Sequence, residues 1–270
     1  MADTASSSPG GGWQQAVRRR LGPGRLLPLG SPADGSWLAE RAADTVLRRA
    51  AADVRGVALG ALRVGLADPD APPAAPAVPP PPGALPPGPL RVEAEFEAAL
   101  GEPVPYAARR LRTALFEAAE ERLGLAVTEV DLRVTGLLGE AGRAGAPGAP
   151  GDVPEEDVRE KADPAGPPGR HDSPEAAAER AAAAVPGVLR LTDVLGAPVH
   201  YDGTALPGGH VRVEVAVSGE RRAREVALEV RAAVADAVAG AAAGRPSVAV
   251  LVTEVHEAGR PDAARGGGTV

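Results

Sequence analysis

One pattern of residues occurs twice in this chain, and this repeat constrains the fold more than any single motif. Each copy contains a Val-X-Gly-Val turn, an Arg-Val-Glu segment, a helical stripe of apolar residues and a Val-rich closing strand. Val57 and Val188, at the two turns, lie 131 residues apart, whereas Arg91 and Arg212 lie 121 residues apart. Most of the length difference therefore falls in one loop. Two copies of this length predict two small domains of one kind rather than a solenoid, whose units are shorter.

The spacing of apolar residues predicts the order helix, strand, strand, helix, strand in each copy. In the first copy, Ser36 is the expected N-cap of a helix that ends near Gly56, and 57–66 and 90–97 alternate as half-buried strands. A second helix is expected over 104–123. This order predicts an α+β fold in which two helices pack on one face of a small sheet.

The closing strand ends each predicted domain. The pattern matches Val130 of the first copy with Val248 of the second, at an offset of 118 residues. The second copy opens with an alanine-rich helix, 174–184, and its apolar stripe on the later helix repeats that of the first copy. Two helices with the same apolar face imply two copies of the same sheet to cover.

Composition shifts predict the domain boundaries, because segments rich in Gly, Pro, Ser and charge cannot bury a core. The expected organisation is a flexible N-terminal arm (1–35), a first domain (36–138), a disordered linker (139–173), a second domain (174–256) and a flexible tail (257–270).

A Pro-rich insertion, residues 69–89, separates two strands of the first copy. It holds eleven prolines, four of them consecutive, and that density excludes a regular hydrogen-bonded element. We expect a polyproline-like, solvated loop, which the second copy replaces with the shorter 199–209. A Pro-rich segment is also a possible ligand for an aromatic-lined groove, although its composition favours a plain loop.

Charge and cysteine content exclude several classes of function. The chain has 36 acids against 29 bases, a net charge of −7, so it is a poor candidate for nucleic-acid binding. It has no cysteine, which excludes disulfides, thiolate metal sites and a cysteine nucleophile. No apolar run reaches the roughly 18 residues of a membrane span, and the start of the chain lacks the apolar region of a signal peptide. These features predict a protein with no direct membrane span. A reducing cytoplasm fits the absence of cysteine but does not follow from it, and a cytoplasmic location is what the family resemblance described below implies.

The N-terminal arm contains the candidate contact residues. Trp13, Val17 and Leu21 are spaced as on one side of a short helix, next to three arginines. Two interpretations are open: contact with a partner or an anionic surface, or a packed or frayed terminal segment, which the two-turn length favours. The candidate residues for contact are Trp13, Arg18, Arg19, Arg20 and Arg25.

The sequence offers no recognisable catalytic or cofactor motif. It lacks a phosphate-binding P-loop, a nucleophile elbow and a dinucleotide fingerprint. The histidines, His171, His200, His210 and His256, do not have metal-ligand spacing, and we expect them to be exposed. His200 and Asp202 flank Tyr201 without a nucleophile beside them. We therefore expect a protein that is not an enzyme, with no catalytic residue, metal, cofactor or small-molecule substrate.

Several of these segments resemble the alkaline shock protein family of envelope stress response proteins. The family pattern is a helix ending in a VPGV turn, a strand pair, a second helix and a GL-V-EV-V-V ending. The second copy has Val185-Pro186-Gly187-Val188 at the turn, and the first has Arg55 in place of proline. The first copy also reproduces the ending over 124–134. The resemblance covers 36–138 and 174–256 without the insertion, and the doubling is similar to a tandem-domain, actinobacterial-type member.

The resemblance implies a non-enzymatic scaffold or adaptor that self-associates and is held near the membrane by a separate membrane-anchoring protein. It provides no catalytic residues. The alternative is a nucleic-acid-binding, KH-like module, since small α+β domains of this element order resemble such modules. Neither copy contains the G-x-x-G loop between paired helices that this alternative requires.

Overall fold

The computed structural model describes residues 24–138, 173–206, 208–239 and 244–256. These residues form a mixed α+β fold with two sheets. The helices are α1 (Glu40–Ala52), α2 (Val104–Glu117), α3 (Pro174–Ala183) and α4 (Ala223–Ala239). The strands are β1 (Leu26–Pro28), β2 (Ser36–Ala39), β3 (Val57–Leu66), β4 (Leu90–Ala99), β5 (Val127–Leu138), β6 (Val188–Leu191), β7 (Val199–Asp202), β8 (His210–Ser218) and β9 (Ser247–His256).

Both sheets contain the same connection between neighbouring parallel strands. The three-stranded sheet has the order β3-β4-β5, with β3 antiparallel and β5 parallel to β4. The six-stranded sheet begins with the order β1-β2-β9-β8. Both β6 and β7 then pair antiparallel with the remaining side of β8. A parallel pair needs a crossover, and α2 joins β4 to β5 as α4 joins β8 to β9.

The order of elements along the chain differs between the two copies. The structure has α1, β3, β4, α2 and β5 in the expected order, and α2 continues as a π-helical turn, Ala118–Leu123, which ends at Gly124 with φ of 80°. In the second copy two short strands, β6 and β7, replace the single first strand. Both of them pair with β8. Residues 199–202, expected in a loop, are therefore β7.

The strand registers correct the alignment of the closing strands. Val130 lies opposite Val92, and Val250 lies opposite Val213. Since Val92 and Val213 occupy the same place in the Arg-Val-Glu segment, the residue equivalent to Val130 is Val250. The predicted match with Val248 is two residues out of register.

Burial differs between the two sheets. Along β4, buried residues alternate with partly or fully exposed ones, which confirms that helices cover one face of the three-stranded sheet. In β9, six consecutive residues, 248–253, are buried, so both faces are covered there and the expectation of one covered face is wrong. Helices of both copies contact β9, since α4 packs against it and α1 contacts both β3 and β9. Buried apolar residues of the two sheets form one continuous cluster.

The N-terminal region corrects two predictions. Residues 24–35 were expected in a flexible arm, but Leu26, Leu27 and Leu29 are at most 1% exposed, and β1 pairs antiparallel with β2. Ser36, the expected N-cap, lies in β2, and α1 begins at Glu40 without a side-chain cap. The physical reason is β9, which pairs with β2 in parallel and draws this segment into the six-stranded sheet.

The Pro-rich insertion forms no regular element, as predicted, and residues 69–75 are exposed, but its later part packs against the fold. Leu85 N donates to Leu26 O at 2.8 Å, and Ala77 N donates to Pro32 O at 3.0 Å. Val78 is only 4% exposed. The insertion therefore covers the outer side of β1, which would otherwise be an open edge of the six-stranded sheet.

Three predicted segments fall largely or wholly outside the described residues: the arm up to residue 23, the linker over 139–172 and the tail over 257–270. Ser173, at the end of the expected linker, is the N-cap of α3, and its Oγ accepts from Ala176 N at 3.2 Å. The predicted division of the chain into two domains stays a prediction.

Candidate functional site

The predicted contact residues are mostly outside the described part of the chain. This applies to Trp13, Arg18, Arg19 and Arg20. The structure describes Arg25, whose Nη2 donates to Glu40 Oε1 at 2.8 Å and to Val64 O at 2.7 Å. The hydrogen bond to Glu40 raises the pKa of Arg25, although burial opposes it. Arg25 therefore joins β1, α1 and β3, and its contact with a partner stays a prediction.

The uncovered side of the three-stranded sheet carries ionisable side chains from all three strands. We call it the charged face, formed by Arg63, Arg91, Glu93, Glu95, Glu129, Asp131 and Arg133. A shallow depression of about 680 Å³ lies on it and extends to Arg25 and Glu40.

Opposite charges on the charged face neutralise one another locally. Arg91 Nε lies 2.7 Å from Glu129 Oε2 and 3.4 Å from Asp131 Oδ2, and Arg133 Nη2 lies 2.6 Å from Glu95 Oε1. The hydrogen bond with Glu129 is the main cause of a raised pKa at Arg91. Carboxylates outnumber arginines on this face, so it does not offer the clustered positive charge that phosphate binding needs. A polar or charged protein surface suits it better.

Beside the charged face, β5 is an edge strand. In the described residues it pairs with β4 alone. We call its side away from β4, over residues 129–135, the β5 edge. Val134, on the helix-covered face of the sheet, is 42% exposed, and Leu137 further along β5 is 56% exposed. The equivalent strand in the other sheet is β9, whose Val252 and Val255 are buried; β2 pairs with its edge over 250–252.

A second depression, of about 470 Å³, lies between the Pro-rich insertion and α4. Apolar side chains such as Val78 and Leu228 line it together with Arg231 and Arg245. Both arginines already have partners, since Arg231 Nη1 donates to Ala33 O at 2.7 Å and Arg245 Nη2 lies 3.0 Å from Asp236 Oδ1. Both arginines that line this depression are therefore engaged in contacts within the protein.

The register aligns Asp202, His210 and Ser247 in one row across β7, β8 and β9. His210 Nδ1 lies 2.8 Å from Ser247 Oγ, and burial, the largest cause, lowers the pKa of His210. Asp202 Oδ1 instead accepts from Thr204 N at 2.8 Å and Thr204 Oγ1 at 2.7 Å. Since Asp202 serves the turn after β7 and does not orient the imidazole, the row lacks the arrangement of a serine nucleophile.

Sequence reasoning missed a buried carboxylate, Glu214. It has no exposed surface, and both of its oxygens accept from Leu195 N at 3.1 to 3.2 Å. Arg212 Nε lies 3.7 Å away. Burial raises the pKa of Glu214, against the effect of the backbone hydrogen bonds and Arg212.

The equivalent residue in the first copy shows why the sequence could not reveal this site. Glu93 has the same place in the Arg-Val-Glu segment, and its side chain is 58% exposed. Glu214 lies in one row with Leu251 and Trp37, and the connection between β6 and β7 contacts its carboxylate through Leu195 N. The first copy has the continuous strand β3 at this place, so the Arg-Val-Glu pattern alone does not distinguish the two glutamates.

Two kinds of feature were also sought in the described ranges. Within them, no group of three or more His, Asp or Glu side chains is arranged to hold a metal ion. None of the helices there combines the length and the apolar character needed to cross a bilayer.

No family model matches the chain, and comparisons with curated proteins and with solved structures return no similar protein.

Proposed function

We propose that this chain is an alkaline-shock-protein-like envelope stress response protein, a non-enzymatic cytoplasmic scaffold or adaptor that works through protein association near the membrane. The observation that carries the proposal is the β5 edge. It is a long strand edge that no described residue pairs with, it carries exposed apolar side chains, and it lies next to a face of mixed charge. Such edges are templates for pairing with another chain.

The repeated turns support the family assignment in this proposal. Gly56 and Gly187 both have a left-handed backbone, with φ of 72° and 95°, so both turns need glycine at this position. Each turn joins a helix to the first strand of its copy, as in the family pattern. The tandem arrangement of two such units is part of the proposal.

An anchoring partner would use the N-terminal arm in this scheme. The basic segment around Trp13 and Arg18 to Arg20 is the part of the sequence best suited to a membrane-anchoring protein or an anionic surface. Arg25 is a weaker candidate because its guanidinium is bonded to Glu40 and Val64 O.

The nucleic-acid alternative has less support. Sheets of KH-like and related modules bind single strands with clustered basic and aromatic groups. The charged face instead presents Glu93, Glu95, Glu129 and Asp131 beside its arginines. No structural observation favours this alternative over protein association.

Affinity purification with crosslinking from cells tests the proposal. The full chain should recover a membrane protein, further copies of itself, or both. A variant lacking residues 1–23, which leaves β1 intact, should lose membrane-fraction recovery if the arm contacts the anchor. A matched variant with Arg18, Arg19 and Arg20 changed to alanine separates charge from length. Recovery of neither a membrane protein nor like chains would contradict the proposal.

A further inference from the structure

Among the edge strands in the described ranges, β5 is the longest. The Pro-rich insertion covers β1, and β6 and β7 have four residues each. Two carbonyls of β3 are already bonded, Gly60 O to Arg48 Nη1 at 2.9 Å and Val64 O to Arg25 Nη2 at 2.7 Å. By contrast, β5 extends over twelve residues. In the described ranges β3 is the other long edge, of ten residues, with these two carbonyls bonded to side chains, and β5 offers the longer ladder to another strand.

Side-chain contacts show which backbone groups lie on the β5 edge. Arg112 Nε donates to Val130 O at 3.2 Å, whereas Thr135 Oγ1 donates to Phe96 O of β4 at 3.3 Å. Backbone groups of successive strand residues point to opposite sides. Over the regular ladder from Glu129 to Val134, the backbone groups of Val130, Leu132 and Val134 therefore face away from β4.

The six-stranded sheet provides a precedent for filling this position. There, Ser36 and Leu38 of β2 lie opposite Val250 and Val252 of β9. Val250 is the structural equivalent of Val130, so the first sheet leaves open the edge that the second sheet fills from within the chain. The fold therefore accepts a further strand at this edge without rearrangement of the β-α-β unit.

We propose that the β5 edge is occupied by β5 of a second copy, which pairs antiparallel with it about a two-fold axis at Leu132. This inference rests on the proposed function. Leu132 then faces Leu132 of the partner subunit, and Val130 faces Val134 of the partner subunit. These are the residues whose backbone groups point outward, so each pair exchanges two hydrogen bonds. Val130 O, which already accepts from Arg112 Nε, accepts the partner's N–H with its second lone pair. The two three-stranded sheets become one six-stranded sheet with closed, isologous symmetry.

Charge selects this register over its neighbours. With the axis at Leu132, Asp131 lies opposite Arg133 of the partner subunit, and Arg133 lies opposite Asp131 of the partner subunit. An axis at Asp131 would also pair unlike charges, Glu129 with Arg133 of the partner subunit, but it would place two aspartates opposite each other. An axis at Arg133 would place two arginines opposite each other. Unlike charges on directly opposed residues stabilise a strand pair and like charges destabilise it. Both side chains are well exposed, at 64% and 75%.

A charge-swap series on the full chain tests the register by analytical ultracentrifugation. Asp131→Arg and Arg133→Asp each place like charges together and should weaken the dimer at least tenfold in Kd, about 1.4 kcal/mol. The double variant restores unlike pairs and should recover the wild-type Kd to within about threefold, a difference of about 0.6 kcal/mol. Failure of the double variant to recover, with circular dichroism unchanged, overturns the register.

Single cysteines test the axis directly, because the chain has none of its own. Leu132→Cys should form a dimer with a short bis-maleimide crosslinker. The matched control is Ala58→Cys on exposed β3, which should give no dimer at the same concentration. Equal crosslinking of the two variants overturns the β5 pairing.

The outcomes separate this inference from the proposed function. A wild-type dimer that is insensitive to all β5 variants overturns the β5 pairing and leaves self-association intact. If the chain stays monomeric at a concentration on the order of 100 µM, the β5 pairing is overturned. This holds even if the chain recovers an anchoring protein from cells. Binding of an extended foreign peptide at β5 by a monomer also overturns it. A chain that recovers neither copies nor an anchor contradicts the proposed function as well.

Discussion

Arg224 donates through Nε to Oδ2 of Asp34 at 2.7 Å, across 190 residues of sequence. The aspartate side chain is 11% exposed and also accepts from Ser31 N at 3.0 Å and Ser31 Oγ at 2.7 Å. Burial by itself would raise the pKa of Asp34, but the bonds from Arg224 and Ser31 outweigh it and hold the pKa below its usual value. This pair fastens the segment between β1 and β2 to the start of α4.

Asp34→Ala should lower the free energy of unfolding by about 2 to 3 kcal/mol, because it leaves a partly buried guanidinium and the Ser31 donors without their acceptor. Urea denaturation at neutral pH measures the change. Asp236→Ala is the matched control, since it removes an aspartate paired with an arginine where both side chains are at least 70% exposed. The control should change the free energy by less than about 0.5 kcal/mol. Equal losses in the two variants would contradict the anchoring role.

Glu214→Gln should change how stability depends on pH. Because the folded pKa of Glu214 is raised, mainly by burial, the folded state keeps a proton that the unfolded chain releases. The stabilisation is complete below about pH 4, near the unfolded carboxyl pKa, and is lost as the pH rises toward the folded pKa. Glutamine does not titrate, so the variant should gain stability relative to wild type between about pH 4 and pH 7.

Chemical denaturation at unit pH steps measures this gain. Glu93→Gln is the matched control, as it changes the equivalent and exposed residue of the first copy. It should alter the free energy of unfolding by less than about 0.5 kcal/mol throughout. Parallel curves for Glu214→Gln and wild type would show that burial does not control the ionisation of this carboxylate.

Gly30→Ala should destabilise the fold far more than Gly101→Ala. Both glycines have a positive φ, 88° and 102°, so each substitution carries backbone strain of about 1 to 2 kcal/mol. An added Cβ at Gly30 would overlap Asp34 Oδ2 and Arg224 Nε, whereas nothing lies within 4 Å of one at Gly101. We expect Gly30→Ala to cost at least about 2 kcal/mol more, through loss of the ion pair. Thermal unfolding compares them, and a similar loss at both positions would refute the steric argument.

Serine at two positions of the Pro-rich insertion tests whether this segment is packed. Val78→Ser removes a side chain that is 4% exposed and leaves a buried hydroxyl, so it should cost about 2 to 3 kcal/mol. Ala75→Ser, at an exposed position, should cost less than about 0.5 kcal/mol. Denaturation midpoints measure both. A solvated insertion would instead give two variants as stable as wild type.

Local patterns were sufficient where the partners are close in sequence. The alternation from Leu90 to Phe96 predicts β4, and its inner residues are buried as expected. The apolar spacing around Leu111 and Leu115 predicts α2, and both residues are fully buried. Each of these elements packs against neighbours in the same β-α-β unit. The spacing of its apolar residues in the sequence therefore matches the set of residues that are buried.

Patterns failed where the partner is remote. Ser36 precedes a helical stripe and satisfies the local rules for an N-cap, yet it pairs with Val250 in a parallel ladder. The prolines of the insertion exclude regular structure, but composition cannot tell that Val78 is buried against the region around Gly35. The open β5 edge also has no local signal, because β9 has a similar sequence and a filled edge.

The position of β2 has a consequence for folding during synthesis. This strand lies between β1 and β9, and its registered partners are 250–252. A ribosome makes Trp37 more than two hundred residues before those partners, so the six-stranded sheet cannot close until β9 has emerged. Until then the nascent chain exposes Trp37 and Leu38, both of which are fully buried at the end. These two side chains therefore gain their native cover only at the end of synthesis.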